Sequence, residues 1–552
     1  MDDRIGLSRR TFLKAVGGLG ALALIEACAP GSTITPSGAI GSNAGFLIPG
    51  AGAPKRGGTL SMALAGAAAE PPNWDPVLGG LLPWAGGWMG PYEYLLAERG
   101  STFGDTEKAP GLAESWETTK DGLTWTFHLR KGVRWQNLPP VNGRELVAED
   151  VAWTYRHFAA NSVLKSKYTI VDKIAVPDTY TIVFTLKNPY APFLPVTLAH
   201  DFVILPHEIF DKYGNFKDVA VGTGAWMVDK WDRGSLMSFK PNPDYWQMGA
   251  DGKPLPYMAA YKVFNYPDQA GINAAIRAGQ VDYMGPGVVS LDVLSLRDVK
   301  KDRPDLVYWD GQLANFTGIE FNMKKAPWND VKVRRAIALG IDKDEVIAAG
   351  QFGDPIRSGV VPVPLTDYAW SLDKIKQRYP FDKQAAQKQL QDLGVAGMTI
   401  ELAQNSPGAN ESQVIASQLT DLGFKVKITT PPNVPTGMAT IAAGKFDLSF
   451  YIHSTSFEID DWLSRYWSTT GPLNTWGYSN PAFDKLCAQE QQELDPAKRK
   501  AIIDQAQELL HQDMVAVPIG SRPVHKVINP RLKNVRMPHY QNERFTSIWI
   551  DG

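Results

Sequence analysis

Cysteine is scarce in this chain of 552 residues, and the residue patterns of metal centres and catalytic sites are missing. Cys28 and Cys487 are its two cysteines, so a framework of several disulfides is excluded. The eight histidines are scattered without an H-E-x-x-H motif, and neither a metal-type cysteine spacing nor G-x-S-x-G occurs. We therefore expect no metal, no cofactor and no enzymatic activity.

Surplus charge and long apolar runs are also missing. Lys and Arg number 56 against 58 Asp and Glu, a formal net charge of -2, so no basic excess is available to neutralise the phosphates of a nucleic acid. After residue 30 no run is long and apolar enough for a transmembrane helix. The length predicts two or three domains.

The first residues read as an export signal rather than as part of the fold. Ser8–Lys14, S-R-R-T-F-L-K, has the twin-arginine pattern, and the short apolar run Ala15–Ile25 follows it. Ile25–Cys28 looks like a lipobox, although Glu26 stands where the pattern prefers a small or apolar residue. We expect residues 1–28 to be the signal and Cys28 to be lipidated, which leaves Cys487 as the remaining thiol. Residues 29–57, rich in Gly, Ala, Pro, Ser and Thr, predict a flexible tether.

The segment 111–158 predicts a strand, a turn and a helix. Trp125, Phe127 and Leu129 alternate with polar neighbours, the period of a half-buried strand. Asn142-Gly143 favours a turn. Glu149 and Asp150 then suit the first turn of a helix, in which Val151, Tyr155 and Phe158 recur at helical spacing.

Later segments predict a sheet covered by helices. Met398–Ala403, the helix Glu411–Leu422 and Phe424–Thr429 form a strand, helix, strand unit in which parallel pairing is the default. Phe446–Tyr451 reads as a further apolar strand and Arg499–Met514 as an amphipathic helix. Asp330 is a candidate N-cap, and Asp342 with Glu345 has the spacing of a capping box.

Four blocks of sequence together resemble one family. They are residues 111–158, the V-G-T-G-A-W and N-P-D-Y-W segments within 221–246, A-A-I-R-A-G-Q-V-D-Y at 274–283, and F-N-M-K-K-A-P-W-N-D followed by V-K-V-R-R-A at 321–336. In this order they closely resemble the large extracytoplasmic solute-binding proteins of the peptide, nickel and oligosaccharide class, family 5, of ABC transporters. The resemblance covers about residues 57–549.

The resemblance implies an α/β, two-lobed periplasmic-binding-protein fold. Lobe I is expected at 58–315 with an inserted subdomain at about 90–215, lobe II at 316–516, and the return to lobe I at 517–552, so that two chain crossings form a hinge. The expected function is the substrate-binding component of an ABC importer, which closes on a peptide or similar small polar solute. Its partners are that solute and the membrane permease subunits, and we expect a monomer at the extracytoplasmic face of the membrane.

The resemblance also suggests which residues contact the solute. The segment with Trp84 and Trp88 corresponds to one that runs along the ligand cavity in the family. In the second lobe the candidates follow the strand Phe446–Tyr451, namely His453, Thr455 and Trp462. Nickel-chelate binding, known in one branch, would call for histidine or a ligand-held metal, and His453 is the histidine we place near the cleft, as a hydrogen-bonding residue.

One departure bears on the solute. Family members that hold free peptides place an Asp in this second-lobe loop to pair with the peptide's ammonium group, and Thr455 stands at that position here. Asp460 and Asp461 lie nearer the next helix, where we expect them to act as its N-cap. The departure makes a neutral or differently charged solute, such as an oligosaccharide, an alternative to a peptide; a membrane-tethered sensor module without transport is another alternative.

Overall fold

The three-dimensional arrangement comes from a computed structural model. It describes residues 46–50, 52–65, 73–78, 90–98, 107–162, 165–198, 202–284, 290–312, 314–350, 352, 355–454, 458–536 and 545–551.

The strands in this part of the chain are β1 Phe46–Ile48, β2 Thr59–Ala65, β3 Leu96–Glu98, β4 Lys108–Pro110, β5 Ala113–Thr118, β6 Thr124–Leu129, β7 Val171–Asp178, β8 Thr181–Leu186, β9 Trp226–Asp232, β10 Leu236–Pro241, β11 Ala260–Tyr266, β12 Tyr283–Met284, β13 Val307–Gln312, β14 Asn315–Phe321, β15 Ile356–Arg357, β16 Thr399–Gln404, β17 Lys425–Thr429, β18 Leu448–Ser454, β19 Ala516–Ser521, β20 Pro523–Ile528, β21 Leu532–Lys533, β22 Val535–Arg536 and β23 Trp549–Ile550.

The α-helices described are α1 Ala148–Asn161, α2 His207–Tyr213, α3 Gln269–Arg277, α4 Val293–Asp302, α5 Val331–Gly340, α6 Lys343–Gly350, α7 Leu372–Arg378, α8 Lys383–Asp392, α9 Glu411–Asp421, α10 Val434–Ala442, α11 Ile459–Tyr466, α12 Pro481–Gln492 and α13 Pro496–Gln512. Within the ranges that the structure covers, no helix combines the length and the apolar character that a membrane crossing needs.

The first lobe is built on a seven-stranded sheet in the order β13-β20-β12-β2-β11-β10-β9. Its centre is parallel, because β2 runs parallel to both β11 and β12. The strands towards both edges pair antiparallel. Leu60, Met62 and Leu64 on one face of β2 and Ala63 on the other are all fully buried, as expected of a strand covered on both faces.

A separate antiparallel sheet in the order β5-β6-β8-β7, here called the inserted sheet, lies within the predicted subdomain. Trp125, Phe127 and Leu129 of β6 are buried, so the predicted strand 124–129 is confirmed. The helix α1 packs on this sheet, with the ring of Tyr155 centred 5.2 Å from that of Phe184. Its Asp150 accepts a hydrogen bond from the N-cap backbone N–H of Val147 at 2.9 Å, which confirms the predicted first turn.

The second lobe is built on a six-stranded sheet in the order β15-β19-β14-β18-β16-β17. β16 pairs parallel with β17, as predicted from the strand, helix, strand pattern, and it also pairs parallel with β18. Apolar clusters cover both faces: Ile319 and Phe321 of β14 point into one of them and Phe316 into the other. The sheet is therefore a central layer between helices.

The chain passes between the two large sheets twice. The first crossing leads from β13 into β14, and the second leads from β19 into β20 through Arg522. β19 pairs with β14 of the second sheet, so the return to the first lobe lies after the expected boundary at 517. The other predicted domain boundaries stay predictions.

Local capping shows one difference from expectation. Asp330 caps α5 by accepting from the N–H of Lys332 at 2.8 Å, as predicted. Asp342 caps α6 through the N–H groups of Asp344 and Glu345, but the reciprocal half of the capping box does not form. Gln418 on α9 bridges the two residues instead. Its Oε1 accepts from Asp342 N at 3.0 Å, and its Nε2 donates to the Glu345 carboxylate at 2.7 Å.

Candidate functional site

The carboxyl ends of the parallel strands mark one edge of each large sheet. In the first lobe β2, β11 and β12 end at that edge, and so does β13, because β12 and β13 are both antiparallel to β20. In the second lobe β16 and β18 end at the corresponding edge, where Ser454 pairs with Asn315, the first residue of β14. The crossing from β13 to β14 therefore joins carboxyl edge to carboxyl edge, which is where ligands bind in open α/β sheets.

Asn315 and Arg522 hold the two crossings together. The Asn315 side chain accepts from the backbone N–H of Arg522 at 2.8 Å and donates to its carbonyl oxygen at 3.1 Å. The Arg522 guanidinium also forms an ion pair with the buried Glu411 at the start of α9. The second crossing is thus fixed both to the first crossing and to the second lobe.

The edge of the second lobe is rich in buried polar groups. The Asn405 side chain binds the backbone N–H and carbonyl of Ile452 at 3.0 and 3.2 Å, which fixes the end of β18. Gln404 Oε1, Glu411 Oε2 and Ser412 Oγ are buried with no hydrogen-bond partner among the described residues. Because buried polar atoms are nearly always paired, these groups are candidates for contacts with a polar solute.

His453 lies inside the second lobe rather than on a surface. Its side chain is 0% exposed, its ring stacks on Phe316 at 4.2 Å, and its Nε2 lies 2.6 Å from Oε1 of the equally buried Glu320. Burial raises the pKa of the Glu320 carboxyl well above its ordinary value and lowers the pKa of His453 well below its own. The two therefore form a neutral hydrogen-bonded pair in the core.

Trp462 is placed in the same core. Its side chain is 0% exposed, and its ring centroid lies 5.7 Å from Phe316 and 5.5 Å from Tyr466. His453 and Trp462 therefore pack in the core beneath the carboxyl edge of the second-lobe sheet. Their direct contact with a solute stays a prediction. Trp84, Trp88, Thr455 and Cys28 lie outside the described residues.

The prediction that Asp460 or Asp461 caps the next helix is wrong. Glu458 is the N-cap residue of α11, and the two aspartates occupy its first turn. Glu458 is held in place by Arg499, whose guanidinium lies 2.6 Å from its carboxylate. The two aspartates bind other groups instead. Asp460 accepts from Tyr190 Oη at 2.7 Å, and Asp461 lies 3.6 Å from Lys167 Nζ.

The family-like G-T-G and N-P-D-Y-W segments have a structural role in the first lobe. Thr223, Tyr245 and Trp246 all donate to the buried carboxylate of Glu93, at 2.9, 2.9 and 3.0 Å. A side chain at Gly222 would meet the carbonyl oxygen of Pro91 at 2.0 Å, so glycine is required there by a close approach of backbone. The G-T-G turn is a packing device rather than a phosphate loop.

A concave surface of about 750 Å³ lies elsewhere, wholly within residues 114–254. The guanidinium of Arg130 covers the ring of Trp246 there at 4.4 Å. Because residues of the second lobe do not line it, it is separate from the edge described above. Among the residues that the structure covers, no group of His, Cys, Asp and Glu has the arrangement of a metal site.

Three contacts that hold the crossings or join the lobes were not anticipated from the sequence: the Asn315–Arg522 pair, the Arg522–Glu411 ion pair and the Tyr190–Asp460 bond. All three join residues distant in sequence, and the first two leave no local pattern. Tyr190 stands in the segment N-P-Y-A-P, where a tyrosine between prolines is a signal that could have been noticed.

Comparison with known proteins supplies the family. A family model described as bacterial extracellular solute-binding proteins, family 5 Middle, matches residues 107–481. The periplasmic oligopeptide-binding protein OppA of Escherichia coli (strain K12) is 27% identical over 491 residues, which cover 81% of this chain and 82% of that protein.

Solved structures agree on the fold. The periplasmic binding protein DppA from Helicobacter pylori, in complex with the peptide STSA, is 24% identical with a TM-score of 0.76, and the match covers 90% of this chain and 99% of that one. AgaA from A. tumefaciens R10, in complex with agropinic acid, is 22% identical with a TM-score of 0.75 and the same coverage. The predicted α/β, two-lobed fold is confirmed.

Proposed function

Since the chain belongs to the bacterial extracellular solute-binding proteins of family 5, we propose that it is the substrate-binding component of an ABC importer. It takes a peptide or a similar small polar solute between its lobes and delivers it to the permease. The observation that carries this proposal is the pair of crossings at Asn315 and Arg522, which join two carboxyl edges. Contacts that a solute makes with both edges exist only when the lobes are closed, so binding shifts the equilibrium towards closure.

A peptide is the solute class that the relatives favour. OppA is named for oligopeptides, and the H. pylori structure holds the tetrapeptide STSA, whereas AgaA holds agropinic acid. Within this chain, Asp460 and Asp461 are already bound by Tyr190 and Lys167. Neither aspartate is therefore placed to replace the peptide-binding Asp whose position Thr455 occupies, and this favours a solute whose recognition does not depend on a free ammonium group.

Native mass spectrometry of the purified protein tests the solute class, since a closed binding protein often retains its solute. We expect a retained mass in the range of a short peptide or comparable polar molecule, and a more compact scattering envelope in the loaded fraction than in the unloaded one. Recovery of a mixture of short peptides with free amino termini would contradict the interpretation of Thr455. An envelope that is the same with and without the retained molecule would contradict the proposed function itself.

We also propose export by the twin-arginine pathway and anchoring through lipid on Cys28, so that the protein works at the extracytoplasmic face of the membrane. Replacement of Arg9 and Arg10 together by Lys is expected to leave the protein inside the cell. Cys28→Ser is expected to allow export but to release the protein from the membrane fraction. Normal membrane recovery of either variant counts against the corresponding signal.

A further inference from the structure

The two lobes touch at a place where no chain connection passes between them. The segment that follows the inserted sheet reaches α11 and α12 of the second lobe: Tyr190 Oη donates to Asp460 Oδ2 at 2.7 Å, and the backbone N–H of Ala191 donates to the carbonyl oxygen of Gln491 at 2.7 Å. Asp460 is only 4% exposed. We call these two hydrogen bonds the interlobe contact.

The acceptor side of the interlobe contact is held in position by its own lobe. Ser464 Oγ donates to Asp460, and Gln491 Nε2 donates to its Oδ1 at 2.8 Å, so the other oxygen is directed at Tyr190. Burial, and then the Asp460 carboxylate, raise the pKa of Tyr190 well above its ordinary value, and its hydroxyl therefore remains a donor. A hydrogen bond to a charged, oriented acceptor is stronger than a neutral one.

A close apolar approach lies in the same region. Leu494, in the connection between α12 and α13, is 42% exposed although it is large and apolar. It faces Gly122 in the turn between β5 and β6, where an added methyl group would come within 2.9 Å of Leu494 Cδ1. Gly122 and Leu494 are thus close neighbours across the lobes, at a turn position whose φ of +67° itself favours glycine.

Because the lobes are connected through the crossings at Asn315 and Arg522, a rotation about those crossings separates surfaces that meet elsewhere. Bonds made in one arrangement and lost in the other bias the equilibrium by their own free energy. We propose that Tyr190 and Asp460 form a latch that stabilises the closed arrangement and so raises solute affinity without touching the solute. The effect on solute affinity rests on the proposed function, whereas the stabilisation of one arrangement of the lobes by Tyr190 and Asp460 does not.

Tyr190→Phe removes the latch hydroxyl while it keeps the ring. The matched control is Tyr180→Phe, because Tyr180 Oη makes the same kind of bond at 2.9 Å to Glu145 within the first lobe. Hydrogen exchange of the peptide that contains Ala191, measured on solute-free protein, reports opening directly. We expect about ten-fold faster exchange in Tyr190→Phe, a larger radius of gyration by X-ray scattering, and neither effect in Tyr180→Phe. Wild-type exchange and radius in Tyr190→Phe would overturn the proposal.

A second variant tests the latch by adding a larger side chain between the lobes rather than by removing a hydrogen bond. Leu494→Trp places a larger side chain against Gly122 from a half-exposed position, and Leu494→Ala is its matched control. We expect Leu494→Trp to speed exchange at Ala191 and enlarge the protein, while Leu494→Ala does neither; enlargement of Leu494→Trp without faster exchange at Ala191 contradicts the latch. Titration with the tetrapeptide STSA is kept separate: if wild type does not bind it, the peptide proposal loses support while the solute-free measurements still decide the latch.

Discussion

Glu320 and Asp460, two of the buried acids of the second lobe, differ in where their partners lie. Glu320 accepts from Ser449 and contacts His453, both on the neighbouring strand β18, whereas Asp460 accepts from Tyr190 of the other lobe. Both are almost completely buried. Burial alone therefore does not distinguish an acid bonded within its own lobe from an acid bonded to the other lobe. A bond within one rigid body contributes to the free energy of unfolding, whereas a bond between two bodies also decides their arrangement.

Removal of the within-lobe pair is expected to have the largest effect. His453→Ala leaves a cavity among the rings of Phe316, Tyr451, Tyr466 and Trp476 and removes the imidazole that Glu320 contacts. We expect a loss of about 3–5 kcal/mol in the free energy of unfolding, measured with urea. Affinity per folded molecule should change little.

The exposed His207 provides a control for that experiment, since His207→Ala should stay within about 0.5 kcal/mol of wild type. The opposite outcome for His453→Ala, normal stability with lost solute binding, would instead support the sequence-based assignment of His453 as a solute contact.

Lys343 extends the comparison to a buried base within the second lobe. Its ammonium donates to the carbonyl oxygens of Ala338 and Pro380, and burial, with the nearby Arg357, lowers its pKa to about 7 from an ordinary 10.5. Between these two pH values the unfolded chain binds more protons than the folded chain, so this group makes the free energy of unfolding rise with pH across that window.

The pKa difference of about 3.5 corresponds to a contribution of at most about 5 kcal/mol across the whole window. Urea titrations at several pH values should show the rise in wild type and in Lys383→Met, which changes an exposed lysine, and should show it reduced in Lys343→Met. An equal rise in both variants would exclude Lys343 as its source.

Asn315 and Asn405 form a matched pair for comparing a bond between the two crossings with a bond inside the second lobe. Each side-chain amide binds both the N–H and the carbonyl of one distant residue, Arg522 for Asn315 and Ile452 for Asn405, at 2.8 to 3.2 Å. Replacement of either by Ala should cost about 2 kcal/mol. Because only Asn315 joins the two crossings, Asn315→Ala alone should broaden the distance distribution obtained by X-ray scattering. Equal distributions for the two variants would show that the crossings are held by other contacts.

The sequence predicted the local elements well because their signals are local. The alternation at Trp125, Phe127 and Leu129, the cap at Asp330 and the parallel β16–β17 pair were all readable from nearby residues. The bonds that relate the lobes join residues 207 positions apart for Asn315–Arg522 and 270 apart for Tyr190–Asp460. No periodicity encodes such pairs.

The capping prediction for α11 failed for the same reason. In the segment E-I-D-D any of the three acids can cap a helix, and the choice of Glu458 goes with its bond to the distant Arg499. The apolar strand β18 was predictable from the sequence, whereas the inward position of His453 and Trp462 depends on the aromatic packing beneath β14 and β18.

The smallest effect is expected at Lys167, although it also spans the lobes. Its ammonium lies 3.6 Å from Asp461, a longer separation than the 2.7 Å of Tyr190 to Asp460, and Arg465 lies 3.9 Å from the same carboxylate, so Asp461 keeps a cation when Lys167 is lost. Lys167→Met should therefore raise hydrogen exchange at Ala191 by less than about three-fold, against the ten-fold expected for Tyr190→Phe. If the order is reversed, the ion pair rather than the tyrosine carries the contact between the lobes, and closure should then weaken as salt is added.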